Sequence, residues 1–195
     1  MIVHDHRKIH KNIYRPTKGI EVIDTPDMQF VVANGTGPRN VYGMHDGDAI
    51  YSISRVINRL KDMTKNEMEY KFTLMPLEII WHKPVGEDWD WKAMMQVPDI
   101  ITEEMFETAL AELDKRNRSV RVPVTLERIH QGTCVQTTHI GPYHLIEDTV
   151  GQTKDYCQNQ GYANVGEFRE IYINQPFCNP PEKLQTIVRA QVLKG

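Results

Sequence analysis

The order of extended and helical patterns repeats along this chain, and that repeat constrains its fold more than any single motif does. "IEVIDTPDMQFVVAN", residues 20–34, is apolar and β-branched and reads as a strand, with the turn-rich loop "GTGPRN" after it. Residues 48–65 carry Ile50, Ile53, Ile57 and Leu60 at spacings of three and four, the apolar stripe of a helix. "EYKFTLMPLEIIWH" and "WDWKAMMQV" are two strand-like runs joined by the hairpin loop "KPVGED". A helix over about 102–116 follows, with Thr102 as its cap, Glu103 and Glu104 in its first turn and Lys115 and Arg116 at its end. The second half reads the same way: a β segment through "VRVPVTLERI" and "TCVQTTHI", a helix over about 143–160 with Gly161 as its stop, then "EFREIYIN" and "LQTIVRAQVL".

Each half is therefore β, α, β, β, although the halves share no appreciable sequence identity. The reading is an α/β (α+β) protein of two β-α-β-β modules related by a pseudo-twofold, with antiparallel sheets around a central ligand cleft. Residues 1–19 form an amino-terminal arm and 20–195 a single domain, with modules over about 20–98 and 120–195 and the helix at 102–116 as connector.

Charge and composition exclude several functions. Lys and Arg number 23 against 26 Asp and Glu, so a nucleic-acid backbone is not the expected partner. Apolar runs are short and the start "MIVHDHRKIH" is broken by charge, which predicts no membrane span and a cytoplasmic location. Cys134, Cys157 and Cys178 are far apart with no C-x-x-C, as expected of reduced structural thiols. The only serines, Ser52, Ser54 and Ser119, lie outside any G-x-S-x-G elbow, and "NGTGPRN" lacks the third glycine of a dinucleotide fingerprint. His4, His6 and His10 belong to a solvated arm and His130 and His139 to structural hydrogen bonds. No metal and no cofactor is expected, and the chain is read as a monomer or weak dimer.

Aromatic and acidic residues stand out instead. Trp81, Trp89 and Trp91 are all the tryptophans, and the strand period of two puts Trp89 and Trp91 on one face with Asp90 on the other. Glu78 in "LMPLEII" and Glu170 in "FREIYI" sit among residues of a sheet interior. A buried carboxylate must be paired, hydrogen-bonded or protonated, or else open to a cleft or an edge. Alternation sets Phe168 and Tyr172 on the face of Glu170, an acid between two rings, which suits a planar or cationic ligand. Tyr143 stands behind a Gly-Pro pair where a β-run gives way to a helix.

With "HIGPYHLIEDT", "REIYIN", "LMPLEIIWH" and "WDWKAMMQVPD" in hand, the chain resembles the GyrI-like small-molecule-binding family from about residue 14 onward. The resemblance implies a cleft between two modules, with Glu170 of "EIY" at its centre and Tyr143 of "GPY" on its wall. It further implies a stand-alone member that binds planar, aromatic or cationic xenobiotics, since about nineteen residues before the first β-run are too few for a helix-turn-helix domain. "MPLE", the tryptophan after it and the stretch from Trp91 to Asp99 resemble an enzymatic subgroup that hydrolyses the cyclopropane ring of DNA-alkylating natural products in an aromatic cage. On that reading Glu170, Glu78 and Tyr143 are the catalytic candidates, and Trp81, Trp89, Trp91, Tyr143, Phe168, Glu170 and Tyr172 the ligand-binding ones. A third reading, a protein-interaction module that blocks a topoisomerase, is also implied by the family. It calls for an exposed charged or apolar patch outside the cleft, and no obvious run of either is present.

Overall fold

The computed structural model describes residues 3–45 and 47–195. The amino-terminal stretch forms β1 (Val3–His4), α1 (His6–Ile9) and α2 (Lys11–Tyr14). The first half contains β2 (Glu21–Thr25), β3 (Met28–Gly37), α3 (Val41–His45), α4 (Asp48–Glu67), β4 (Lys71–Phe72), β5 (Leu77–Val85) and β6 (Asp88–Val97). Then come α5 (Glu103–Lys115), β7 (Thr125–Ile129), β8 (Gly132–Ile140), α6 (Ile146–Asn159), β9 (Tyr162–Val165), β10 (Arg169–Tyr172) and β11 (Gln185–Lys194). A short 3-10 turn, Tyr143–Leu145, leads into α6.

The large strands pair in the order β2-β8-β11-β10-β5-β6-β3-β7, with β9 on the far part of β11 and every pairing antiparallel. Read from the middle outward, β10-β11-β8-β2 mirrors β5-β6-β3-β7, which is the pseudo-twofold. The equivalences are β3 with β8, α4 with α6, β5 with β10 and β6 with β11. The leading strands are exchanged: β2 pairs with the second half and β7 with the first.

The single run expected over residues 20–34 is thus two strands in opposite halves of the sheet, β2 at one edge and β3 next to the other. Pro26 breaks the ladder between them, having no N–H to give. Pro26 and Asp27 alone carry the chain from β2 to β3, and His130 and Gln131 alone carry it from β7 to β8. Such short links require the two sheet ends to lie close together. His130 Nδ1 stands 2.5 Å from Asp27 Oδ1, tying one link to the other. The sheet is strongly curled into a half-barrel. Ile23 and Ile129, from its opposite ends, pack against one shared cluster with Phe30, Val32, Met94, Ile171 and Ile187, so that face is the inside of the curl.

Helices cover the outer face. Ile53, Val56, Ile57 and Leu60 of α4 pack on Val31, Ala33, Met95 and Val97, joined by Phe106, Ala109 and Leu113 of α5. The connector α5 lies along α4, where Arg59 pairs with Glu112. Ile146, Val150 and Cys157 of α6 face the other half of the sheet.

The amino-terminal stretch is more structured than a solvated arm. Ile13 and Tyr14 are buried in the inner cluster, His4 stacks on Tyr70 at 4.0 Å, and His6, 7% exposed, has Nε2 at 3.3 Å from the Tyr70 hydroxyl. Among the described residues no group of three His, Cys, Asp or Glu is placed to hold a metal, and no helix is long and apolar enough to cross a membrane.

Candidate functional site

Strand register decides which candidate residues meet. Across β5 and β10, Glu170 pairs with Ile79 and Ile171 with Glu78, so Glu170 and Glu78 point to opposite faces of one sheet. Glu170 joins Tyr172, Trp81, Trp89 and Trp91 on the outer face, over the middle of the sheet between α4 and α6.

Glu78 is not a cleft residue. It is fully buried on the inner face, where Oε1 accepts the Tyr14 hydroxyl at 2.7 Å and Oε2 accepts Arg169 Nη1 at 2.8 Å. Arg189 lies beside it, donating to Gln136 Oε1 at 3.0 Å and to the Ile13 carbonyl. Burial pushes the Tyr14 phenol well up and the Arg189 guanidinium down from their ordinary values. This acid is a structural clasp that ties residues 13–14 into the curl.

The outer-face cleft holds a cavity of about 340 Å³ lined by Trp81, Trp89, Phe168, Val150, Lys154 and Glu170 among others. A smaller cavity of about 220 Å³, lined by Tyr42, Tyr143 and His144, shares Arg39, Glu147 and Glu170 with it. Glu170 is 3% exposed, and its Oε2 accepts the Tyr172 hydroxyl at 2.5 Å. Burial, then the neighbouring Glu170 charge, raises the Tyr172 phenol well above its usual range and keeps it a donor.

Arg39 is the residue that sequence reasoning missed. "GTGPRN" reads as a plain turn, yet β3 runs on through Gly37 and delivers the loop over the cleft. Arg39 Nη2 donates to Glu170 Oε1 at 2.7 Å, Nη1 pairs with Glu147, and the guanidinium lies 5.2 Å from the Trp89 ring centre and 5.9 Å from that of Trp81. Burial alone would lower its pKa, but the two carboxylates outweigh burial and raise it.

Trp91 is set apart from the other two. It lies across Gly35, where an added Cβ would come within 2.3 Å of its ring, and it lines neither cavity. Only glycine permits that approach, so Gly35 serves ring packing rather than a turn.

Tyr143 is fixed by the corner it stands on. Gly141 has φ +138, and His139 ties the corner to α6, with Nε2 3.1 Å from the Pro142 carbonyl and Nδ1 2.9 Å from the Thr149 hydroxyl. Because a carbonyl only accepts, Nε2 carries the proton. The Tyr143 hydroxyl is buried with no hydrogen-bond partner among the described residues. Burial, then Tyr42 and Glu170, pushes its pKa up, so it stays a donor free to meet a ligand oxygen.

His45 stacks along Tyr143 and meets Tyr172 edge-on at 5.4 Å. Burial lowers its pKa from 6.5 to about 4. A folded-state value below the unfolded one means that unfolding takes up a proton. The stability that neutral His45 contributes is complete above pH 6.5 and is lost as pH falls towards about 4. His45→Phe should therefore flatten the fall in melting temperature between those pH values, as thermal denaturation at a series of pH values would show; parallel curves would remove His45 as the cause.

A search of curated proteins gives no match. Among solved structures, a protein from Listeria innocua described as a hydrolase aligns with TM-score 0.82 and 28% identity, over 97% of this chain and 99% of its own. An uncharacterised conserved protein from the same organism aligns with TM-score 0.83, also at 28% identity and over the same shares. The EcmrR C-terminal domain, at 16% identity and TM-score 0.57 over 91% of this chain and 98% of its own, shares the fold. A family model described as a GyrI-like small molecule binding domain matches residues 18–192, a span that takes in both halves of the sheet and the whole Glu170 cleft. The chain belongs to the GyrI-like small-molecule-binding family.

Proposed function

We propose that this protein binds planar aromatic small molecules in the outer-face cleft, between Trp81, Trp89 and Phe168, with Glu170 at the floor and Tyr143 on the adjoining wall. The observation that carries this is Glu170 itself: a carboxylate almost wholly shielded from water, yet lining both cavities beside indole rings. Aromatic walls supply contact area at little entropic cost, and a few fixed polar groups orient the ligand. Xenobiotics with fused rings are the class that fits.

A second reading is hydrolysis of a strained cyclopropane conjugated to a carbonyl, as in DNA-alkylating cyclopropanoid compounds. Its support is the resemblance at 28% identity, over nearly the whole chain, to Listeria innocua proteins described as hydrolases. The groups in the cleft suit the step. A donor, Tyr143 or Arg39, would polarise the carbonyl oxygen while water attacks the ring carbon. The ring C–C bond breaks, its electrons pass through the conjugated system to that oxygen, and Glu170 takes the proton that water loses.

The test is to incubate the purified protein with planar neutral, cationic and cyclopropane-bearing compounds, following binding by tryptophan quenching and products by mass spectrometry. Binding that weakens at least about tenfold in Trp89→Ala is expected for a cleft ligand. A hydrated, ring-opened product, heavier than the substrate by one water, marks the hydrolase. Failure to bind any planar compound would sink both readings.

A further inference from the structure

We propose that Arg39 is a resident cation that sets the charge selectivity of the cleft, favouring neutral planar ligands with a hydrogen-bond acceptor and turning cationic ones away. The proposal rests on the cleft reading above and specifies which members of that ligand class it admits. A cation is recognised by the face of an aromatic ring together with a desolvated carboxylate. Both are present here, and both are already engaged by the chain's own guanidinium, 5.2 Å from the Trp89 ring centre and 2.7 Å from Glu170.

A ligand cation must first displace Arg39. It then makes with Glu170 and Trp89 the contacts that Arg39 gives up, while the bond of Arg39 to Glu147 is lost as well. Gain and loss are of one kind, so little net affinity is left for the newcomer. A neutral ligand with a carbonyl meets the opposite situation. Each terminal nitrogen of a guanidinium carries two N–H groups, and the described bonds use one on each, Nη2 to Glu170 and Nη1 to Glu147. The remaining hydrogens can meet a ligand oxygen without breaking either bond.

Position adds to the case. Arg39 lies in the short loop between β3 and α3, and its bridge to Glu147 and Glu170 is the partition shared by the two cavities. Arg39 therefore governs charge at the point where a ligand crosses from the tryptophan wall to Tyr143.

The test uses two probes with the same tricyclic ring, neutral N-methylacridone and cationic N-methylacridinium, titrated into the full-length protein by fluorescence. The unmutated protein should bind the acridone at least about tenfold more tightly than the acridinium. Arg39→Met should raise acridinium affinity by about tenfold and lower acridone affinity, reversing the preference, while Arg39→Lys keeps the original order. Tighter binding of the acridinium by the unmutated protein overturns the proposal whether or not the variants fold, and so does a ratio that Arg39→Met leaves unchanged. Binding of neither probe, or binding indifferent to Trp89→Ala, overturns the cleft reading itself and this proposal with it.

Discussion

Glu170→Gln is expected to lower turnover of a neutral strained electrophile by about 100-fold or more, with its dissociation constant changed by less than about threefold. The amide fills the same space, so the aromatic walls still hold the ring. It cannot take a proton from water, and that loss is felt only as the transition state forms. One of its two heads must also turn an N–H toward Tyr172 or Arg39, the donors that Glu170 accepts from. Single-turnover kinetics with excess enzyme separates the two quantities. A rate equal to that of the unmutated protein would remove Glu170 from the chemistry. Binding without turnover by the unmutated protein would end the hydrolase reading and leave the binder.

Glu78→Ala should cost about 3–5 kcal/mol of stability, because it strands Arg169 in the interior of the curl with its partner gone. Both side chains are close to full burial, at 5% and 0% exposed, so solvent screens little of the effect. The Tyr14 hydroxyl loses its acceptor at the same time. Urea denaturation measures the change, and a loss under about 1 kcal/mol would contradict the clasp. Because Glu78 faces away from the cleft, the folded fraction should keep its ligand affinity, whereas a Glu78 engaged in catalysis or binding would not permit that.

Why one glutamate was readable and the other was not comes down to register. Both acids sit in apolar β-runs, and each reads as an inward residue. For Glu170 the residues two before and two after it, Phe168 on the cavity wall and Tyr172 donating to its carboxylate, share its face, so alternation along one run suffices. Glu78 needs the pairing of β5 with β10 to be placed, and a one-residue slip would exchange its face. Trp91 shows the same limit, since only the opposition of Gly35 turns it into packing rather than lining. Element order, helix positions and the Tyr143 corner were legible because their signals are local: apolar stripes, caps, a Gly-Pro break. Arg39 carries no local signal. It becomes a cleft residue only because β3 extends to Gly37 and the sheet brings Glu170 of β10, three pairings away from β3, beneath that loop.

The exchanged leading strands bear on how this chain reaches its native state. Glu21 finds its sheet partner at Gln136 and Met28 at Ile129, so neither half can complete its own outer ladder from nearby sequence. Pairings of such separation must close large loops before they return any contact energy, which predicts slow, highly cooperative folding with a high relative contact order. A fragment ending after residue 101 would keep α4 and its strands yet leave β2 without β8 and β3 without β7. Two such fragments, produced together, would have to associate in order to fold, each lending the other its first strand.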